Sequence, residues 1–198
     1  MQPYYQAPKR TFPEIDLGDF YLREKRDSDV HDFLRYYNDP EVNKYIMCEI
    51  PRTPEQALPE IAYWRGIFYR NEGIYFAIAD KATDRLIGTI GLTSYNAYQS
   101  RMEISYDLAQ EFWRKGIISK SVEAVLEHGF NFWKVNRIEA FAAVPNEPSR
   151  NLLLKKGFTL EGVLRQHRYH LGRYVDVHSF SILREDFYPK QAELVEDF

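Results

Sequence analysis

Between Ile74 and Leu108 the chain keeps a period of two. "IYFAIAD" and "RLIGTIGLTSY" flank the polar turn "KATD", which predicts an antiparallel hairpin, and "RMEISYDL" adds a third strand. In that third strand Met102, Ile104, Tyr106 and Leu108 share one side, and Glu103, Ser105 and Asp107 the other. Past residue 116 the period lengthens. Ile118, Val122, Val125, Leu126, Phe130 and Trp133 recur at steps of three and four, the stripe of a helix that starts at or just after Gly116.

The flanking segments fall into place around this block. "DFYLREKRDSD" reads as a strand running to Asp27 or Ser28, either of which suits the N-cap of a helix through Val30, Phe33, Leu34 and Tyr37. "NDPEVNKYIMCEIPRTP" is broken by Pro40, Pro51 and Pro54 and holds at most a short helix. Thr53 and Pro54 then make an N-cap and first-turn pair for a second helix ending near Arg70. "RIEAFAAV" is a strand, and "NEPSRNLLLKKG" is a short helix with Pro148 in its first turn and Gly157 after its end. "FTLEGVLRQHRYHLGRYVDVHSFSIL" gives two strands joined near Gly172. The resulting order, β-α-α-β-β-β-α-β-α-β-β, has no repeat and no linker. It predicts one α+β domain over residues 1–198, with an extended arm on the surface at 1–18 and a C-terminal tail at 188–198.

Composition narrows the function classes. A formal charge of −3 and a pI near 6.0 give no footprint for nucleic acid or anionic lipid. The single cysteine, Cys48, excludes an internal disulfide and a thiolate zinc cluster, and fits a reducing cytoplasm. No metal site is expected. The N-terminus lacks an apolar h-region, and no run approaches the ~20 apolar residues of a membrane span. Aromatics at 16% exceed what a core needs, which leaves room for an aromatic-lined groove or a homodimer contact.

The chemistry concentrates where the third strand meets the long helix. "WRKGIISKS" places Arg114, Lys115 and Gly116 at a helix start, followed by Ile117, Ile118 and Ser119. Such a turn offers unpaired N–H groups and the positive end of a helix dipole to an anion. It is neither a Walker loop nor a dinucleotide fingerprint, since both need glycines this stretch lacks. Phosphate binding and an ordinary charged helix start both remain open on this stretch alone.

The succession "RMEISYDLAQEFWRKGIISKSVEAVLEHGF", "NRIEAFAAVPNEPSRNLLLKKGFTLEGVLR" and "HLGRYVDVHSFSILRED" resembles the GNAT superfamily of acyl-CoA-dependent N-acetyltransferases, and within it the RimJ/RimL-like branch acting on ribosomal-protein N-termini. The specific string is N-x-x-S-x-x-L-x-x-K-x-G-F, from Asn146 to Phe158. The resemblance implies a mixed, mostly antiparallel sheet of six to seven strands flanked by about four helices. It implies acetyl-CoA as cofactor, its pyrophosphate on the main chain of residues 114–119 and its pantetheine arm along the main chain of Tyr106, Asp107 and Leu108. It further implies that the strand at 101–108 splays from the next one.

The resemblance also suggests roles at the reacting atoms. Glu103 stands where several superfamily members keep a catalytic carboxylate; the alternative is a strand glutamate paired with a neighbouring arginine. Asn146 matches a residue that binds the cofactor amides, and Ser149 a hydroxyl facing the leaving thiolate; both also suit helix capping. The acid that the branch carries after E-G is replaced by Arg168, within a basic group that includes Arg165, His167 and His170. The implied acceptor is a primary amine, a ribosomal-protein N-terminus first. Small amines such as polyamines, or acyl-CoA binding without catalysis, are the alternatives.

Overall fold

The computed structural model describes residues 10–170 and 172–189; the remainder of the arm and most of the tail lie outside the described residues. One eight-stranded sheet runs through the molecule in the order β1-β2-β3-β4-β5-β6-β8-β7. Its strands are β1 (Ile15–Asp16), β2 (Phe20–Arg23), β3 (Ile74–Asp80), β4 (Leu86–Asn96), β5 (Arg101–Leu108), β6 (Arg137–Ala143), β7 (Thr159–His170) and β8 (Arg173–Leu183). Every pairing is antiparallel except β5 with β6. The helices are α1 (Val30–Tyr37), α2 (Pro40–Asn43), α3 (Pro54–Tyr69), α4 (Ile117–Asn131), α5 (Glu147–Lys155) and α6 (Arg184–Phe187). The mixed α+β sheet therefore matches expectation, with one strand more than foreseen and two further helices of four residues each, α2 and α6.

The extra strand corrects the reading of the N-terminal arm. Ile15 and Asp16 pair with Leu22 and Tyr21, and Phe12 is buried with its ring 5.0 Å from Phe68 and 5.2 Å from Phe76. A two-residue strand and one anchoring aromatic leave no periodicity to read.

Both faces of the sheet are covered, which explains why β3 is buried at every position from Ile74 to Ala79. Ile74, Phe76 and Ile78 join a core with Val122, Val125, Leu126 and Phe130 of α4. Ala77, on the opposite side, joins a smaller core with Phe33, Tyr36 and Tyr37 of α1 and Ala57 and Ile61 of α3. The side chains of β5 divide in the same way: Met102, Ile104 and Leu108 enter the α4 core, while Asp107 reaches Tyr36 of α1.

The start of α1 also differs from expectation. Neither Asp27 nor Ser28 caps it; a 3-10 turn, Asp27–Asp29, comes first. Asp29 accepts from the Arg26 N–H at 2.7 Å and takes a two-pronged contact from Arg23, at 2.8 and 2.7 Å. Arg23 lies on β2 and is 1% exposed, so the sheet edge and the helix start are tied by one buried ion pair.

Candidate active site

β5 and β6 run side by side for only three residues. Arg101, Met102 and Glu103 face Arg137, Ile138 and Glu139; after that β5 stays with β4 as far as Leu108, while β6 follows β8 to Ala143. The edge of β5 from Ile104 to Leu108 thus has no strand beside it on the β6 side. A cavity of about 420 Å³ occupies the gap, reaching from Ala142, Asn146 and Ser149 to Lys25, Glu60 and Tyr75.

The basic turn sits at the upper end of β5. Arg114 (φ 61°) and Gly116 (φ 76°) are both left-handed, and the first helical bond of α4 runs from Lys120 N to Gly116 O at 3.1 Å. None of the N–H groups of residues 114–119 donates to an acceptor among the described residues. Six successive unpaired donors at the positive end of a four-turn helix are the kind of group an anion can accept from. A Cβ on Gly116 would meet nothing within 4 Å, so its φ, not space, favours glycine there. Trp113 Nε1 donates to Leu108 O at 2.8 Å, joining the turn to the strand and engaging that carbonyl.

Glu103 lines the cavity on the α1 side of β5, with its side chain about one-quarter exposed. Burial raises its carboxyl above the usual range, the Arg168 guanidinium opposes that, and Glu139 adds to it. Arg168 Nη2 reaches Glu103 Oε1 at 3.3 Å. It points inward because β7 is irregular between Leu164 and Arg168: Gln166 is left-handed (φ 51°), with its N–H held by Asp176 Oδ1 at 2.7 Å. The basic group read from the sequence is thereby dispersed. His167 rests on the ring of Phe141, and His170 Nε2 bonds Lys44 O at 2.9 Å.

Across the gap, α5 brings Asn146 and Ser149 to the cavity. Asn146 Oδ1 caps the helix by accepting from Ser149 N at 3.2 Å, which leaves its amide NH₂ as a donor. The Ser149 hydroxyl takes no part in capping; its Oγ lies 2.9 Å from Tyr106 Oη. Burial pushes the Tyr106 phenol up to about 12, and the Ser149 contact lowers it in part.

Several side chains around the cavity have no role assigned from the sequence, where Asp107 enters through its main chain alone. Asp107 accepts from Tyr36 Oη at 2.7 Å, Thr89 N at 3.0 Å and Thr89 Oγ1 at 2.8 Å. Lys25, 3% exposed, places Nζ 4.6 Å from the Tyr75 ring centre, and Tyr75 Oη is 3.0 Å from Ser105 Oγ. Trp64 packs on Tyr75 at 4.7 Å and donates to Glu60 at 3.3 Å. These residues come from α1, α3, β3, β4, β5 and the segment after β2, and converge only through the tertiary fold. Cys48 is exposed, with Sγ 3.3 Å from Tyr37 Oη, and partial desolvation of the sulfur raises its thiol.

A splayed parallel pair, a run of unpaired N–H groups at the start of the following helix and a carboxylate in the gap thus lie in one region of the molecule. The family model described as acetyltransferase (GNAT) domain matches residues 19–159, and the chain belongs to this family of N-acetyltransferases. It is 34% identical to the uncharacterized N-acetyltransferase YoaA of Bacillus subtilis, over 87% of this chain and 98% of that one. It is 33% identical to the putative ribosomal N-acetyltransferase YdaF of the same organism, over 84% and 91%. The spermidine N-acetyltransferase of Vibrio cholerae, solved with CoA and spermine, superposes with a TM-score of 0.74 at 24% identity, covering 86% of this chain and 98% of that one. Among the described residues no helix is long and apolar enough to cross a membrane, and no cluster could hold a metal ion.

Proposed function

We propose that the protein uses acetyl-CoA to acetylate a primary amine by direct attack, and that the preferred acceptor is a protein N-terminal α-amine, as in the RimJ/RimL-like branch. The observation that carries this reading is the gap between β5 and β6, which joins the N–H cradle to a cavity where Glu103 and Ser149 line opposite walls. When bound, acetyl-CoA supplies an acyl group activated as a thioester. The residues present fit it. The N–H groups of 114–119 would hold its pyrophosphate, with Arg114 and Lys115 adding charge. The free edge of β5 from Ile104 to Leu108 supplies main-chain partners for an extended amide arm, with the Asn146 NH₂ as a further donor.

The chain's own groups divide the proton work. Glu103, ionised, accepts the proton that the amine sheds as its new N–C bond forms. Ser149 presents its hydroxyl to the departing sulfur, with Tyr106 fixing its orientation. An α-amine (pKa ~7.7–8.0) is ~10% or more neutral at pH 7, whereas a lysine amine (pKa ~10.4) is ~0.1% or less neutral. Burial raises the Glu103 carboxyl while Arg168 holds that rise back, and a carboxylate base suits an α-amine that is already partly neutral.

A small polyamine is the second reading, favoured by Glu60 and Glu103 in an aromatic-lined cavity. Arg168 and Lys25, cations in that cavity, oppose it. A thiol-release assay across N-terminal peptides, polyamines and aminoglycosides separates the two. Turnover with peptides and not with spermidine supports the first reading; the reverse overturns it. Titration calorimetry with acetyl-CoA tests the cradle: Gly116→Val should weaken binding at least tenfold, and equal affinities would remove the turn from the site.

A further inference from the structure

Lys25 is the least explained charge in the cavity. It follows β2, is 97% buried by its 3% exposure, and lines the same gap as Glu103. Its ammonium carries three donors. Among the described residues it has no hydrogen-bond acceptor and no carboxylate within 4.0 Å; its near neighbours are the rings of Tyr75 (4.6 Å) and Phe33 (5.6 Å). The carboxylates that act on it from farther off are those of Asp107, Glu60 and Asp29. Asp107 already accepts from three donors, Glu60 from Trp64, and Asp29 from Arg23. A buried ammonium left with ring faces alone is costly. Desolvation accordingly pulls Lys25 down to about 8, yet at neutral pH it remains mostly cationic.

We propose that Lys25 is a specificity residue that binds a carboxylate of the acceptor, and that this carboxylate belongs to an acidic side chain at the second or third position of the acetylated N-terminus. The proposal rests on the α-amine reading above. Its geometry comes from β5. Glu103, Ser105 and Asp107 share one face, so they are spaced by ~7 Å per step and ~14 Å in all. Lys25 sits on Tyr75, whose hydroxyl touches Ser105, one step along that row from Glu103. An amine at Glu103 is thus at least one such step, ~7 Å, from the ammonium. The α-carboxylate of a free amino acid, ~3 Å from its own amine, cannot span this. An extended peptide advances ~3.3–3.6 Å per residue, so an Asp or Glu at position two or three can. Polyamines have no group to offer Lys25.

The experiment uses C-terminally amidated hexapeptides with Glu or Gln at position two or three, assayed by thiol release and, with CoA bound, by calorimetry. Wild type should prefer the Glu peptide over its Gln twin at least tenfold in kcat/KM, mostly through KM. Lys25→Met should bring the ratio to near one, and Lys25→Arg should restore part of it. A purely structural lysine would change stability and leave the ratio intact, which would overturn the proposal. Acetylation of both peptides at equal kcat/KM by wild type also overturns it while leaving the α-amine reading standing. Lys25-dependent binding of the Glu peptide without acetylation supports the carboxylate site and removes the α-amine reading. Binding of neither peptide removes both.

Discussion

Arg168 Nη2 lies 3.3 Å from Glu103 Oε1, and this pair joins the last hairpin to the strand that borders the acyl-transfer gap. The arginine occupies the place where the resembled branch carries its acid, and it points at the other carboxylate available to act as base. A cation cannot serve as a base; in the proposed mechanism Arg168 instead adjusts Glu103, whose raised carboxyl it pulls back down.

Glu103→Gln is expected to lower kcat by ~10²–10⁴-fold, the usual span for loss of a general base. The carboxyl works ionised, so wild-type activity falls as pH drops through its raised pKa. Removing the guanidinium in Arg168→Met raises that pKa further, and the acid limb of the kcat/KM profile should move to higher pH. An unmoved limb would separate Arg168 from the chemistry.

The Tyr106–Ser149 contact of 2.9 Å crosses the gap between β5 and α5. Ser149→Ala should reduce kcat by ~10²-fold, the low end for a proton-donating side chain, and Tyr106→Phe by less. If Tyr106 acts through Ser149, the double variant is no slower than Ser149→Ala alone. Steady-state kinetics of the four proteins gives the coupling; full additivity would make the contact incidental.

Asp29→Ala strands Arg23, 1% exposed, without its two-pronged partner and should cost ~3–5 kcal/mol of stability. Asp84 also touches Arg23 at 3.0 Å, but its side chain is half exposed, and Asp84→Ala should cost ~1 kcal/mol or less. Urea unfolding of both variants distinguishes the buried pair from the exposed one.

His128 stacks on Phe132 at 4.8 Å, and its Nε2 is buried without a partner among the described residues. Burial pulls it down from 6.5 to about 4. The unfolded chain therefore binds this proton first as pH falls, so stability is full above pH ~6.5 and is lost toward pH ~4. Partial exposure limits the loss to on the order of 1–2 kcal/mol. His128→Phe should flatten this part of the stability–pH curve in thermal melts; an unchanged slope would assign it to carboxylates.

The elements legible in the sequence were those whose signal is local. Apolar runs bounded by the polar turn at 81–84 marked β3 and β4, which are buried on both faces, alternation marked β5, and the stripe from Ile118 marked α4, which ends at Asn131, before Trp133. The turn at Gly116 was legible for the same reason: a left-handed glycine before an apolar stripe is a helix start read within a few residues. Asn146, Ser149 and Glu103 entered through a motif, and the fold places all three on one cavity.

What the tertiary structure alone decided is long-range. The width of the gap depends on β6 leaving β5 after Glu103 to follow β8, a choice of partner strand that no local pattern encodes. The inward turn of Arg168 depends on one bulge at Gln166, which shifts the side from which every later residue projects. Lys25 illustrates the limit most directly. In sequence it is one charge in "REKRD", indistinguishable from a solvated surface lysine; only the packing of β2, α1, α3 and β3 around it removes water and leaves its ammonium facing the cavity.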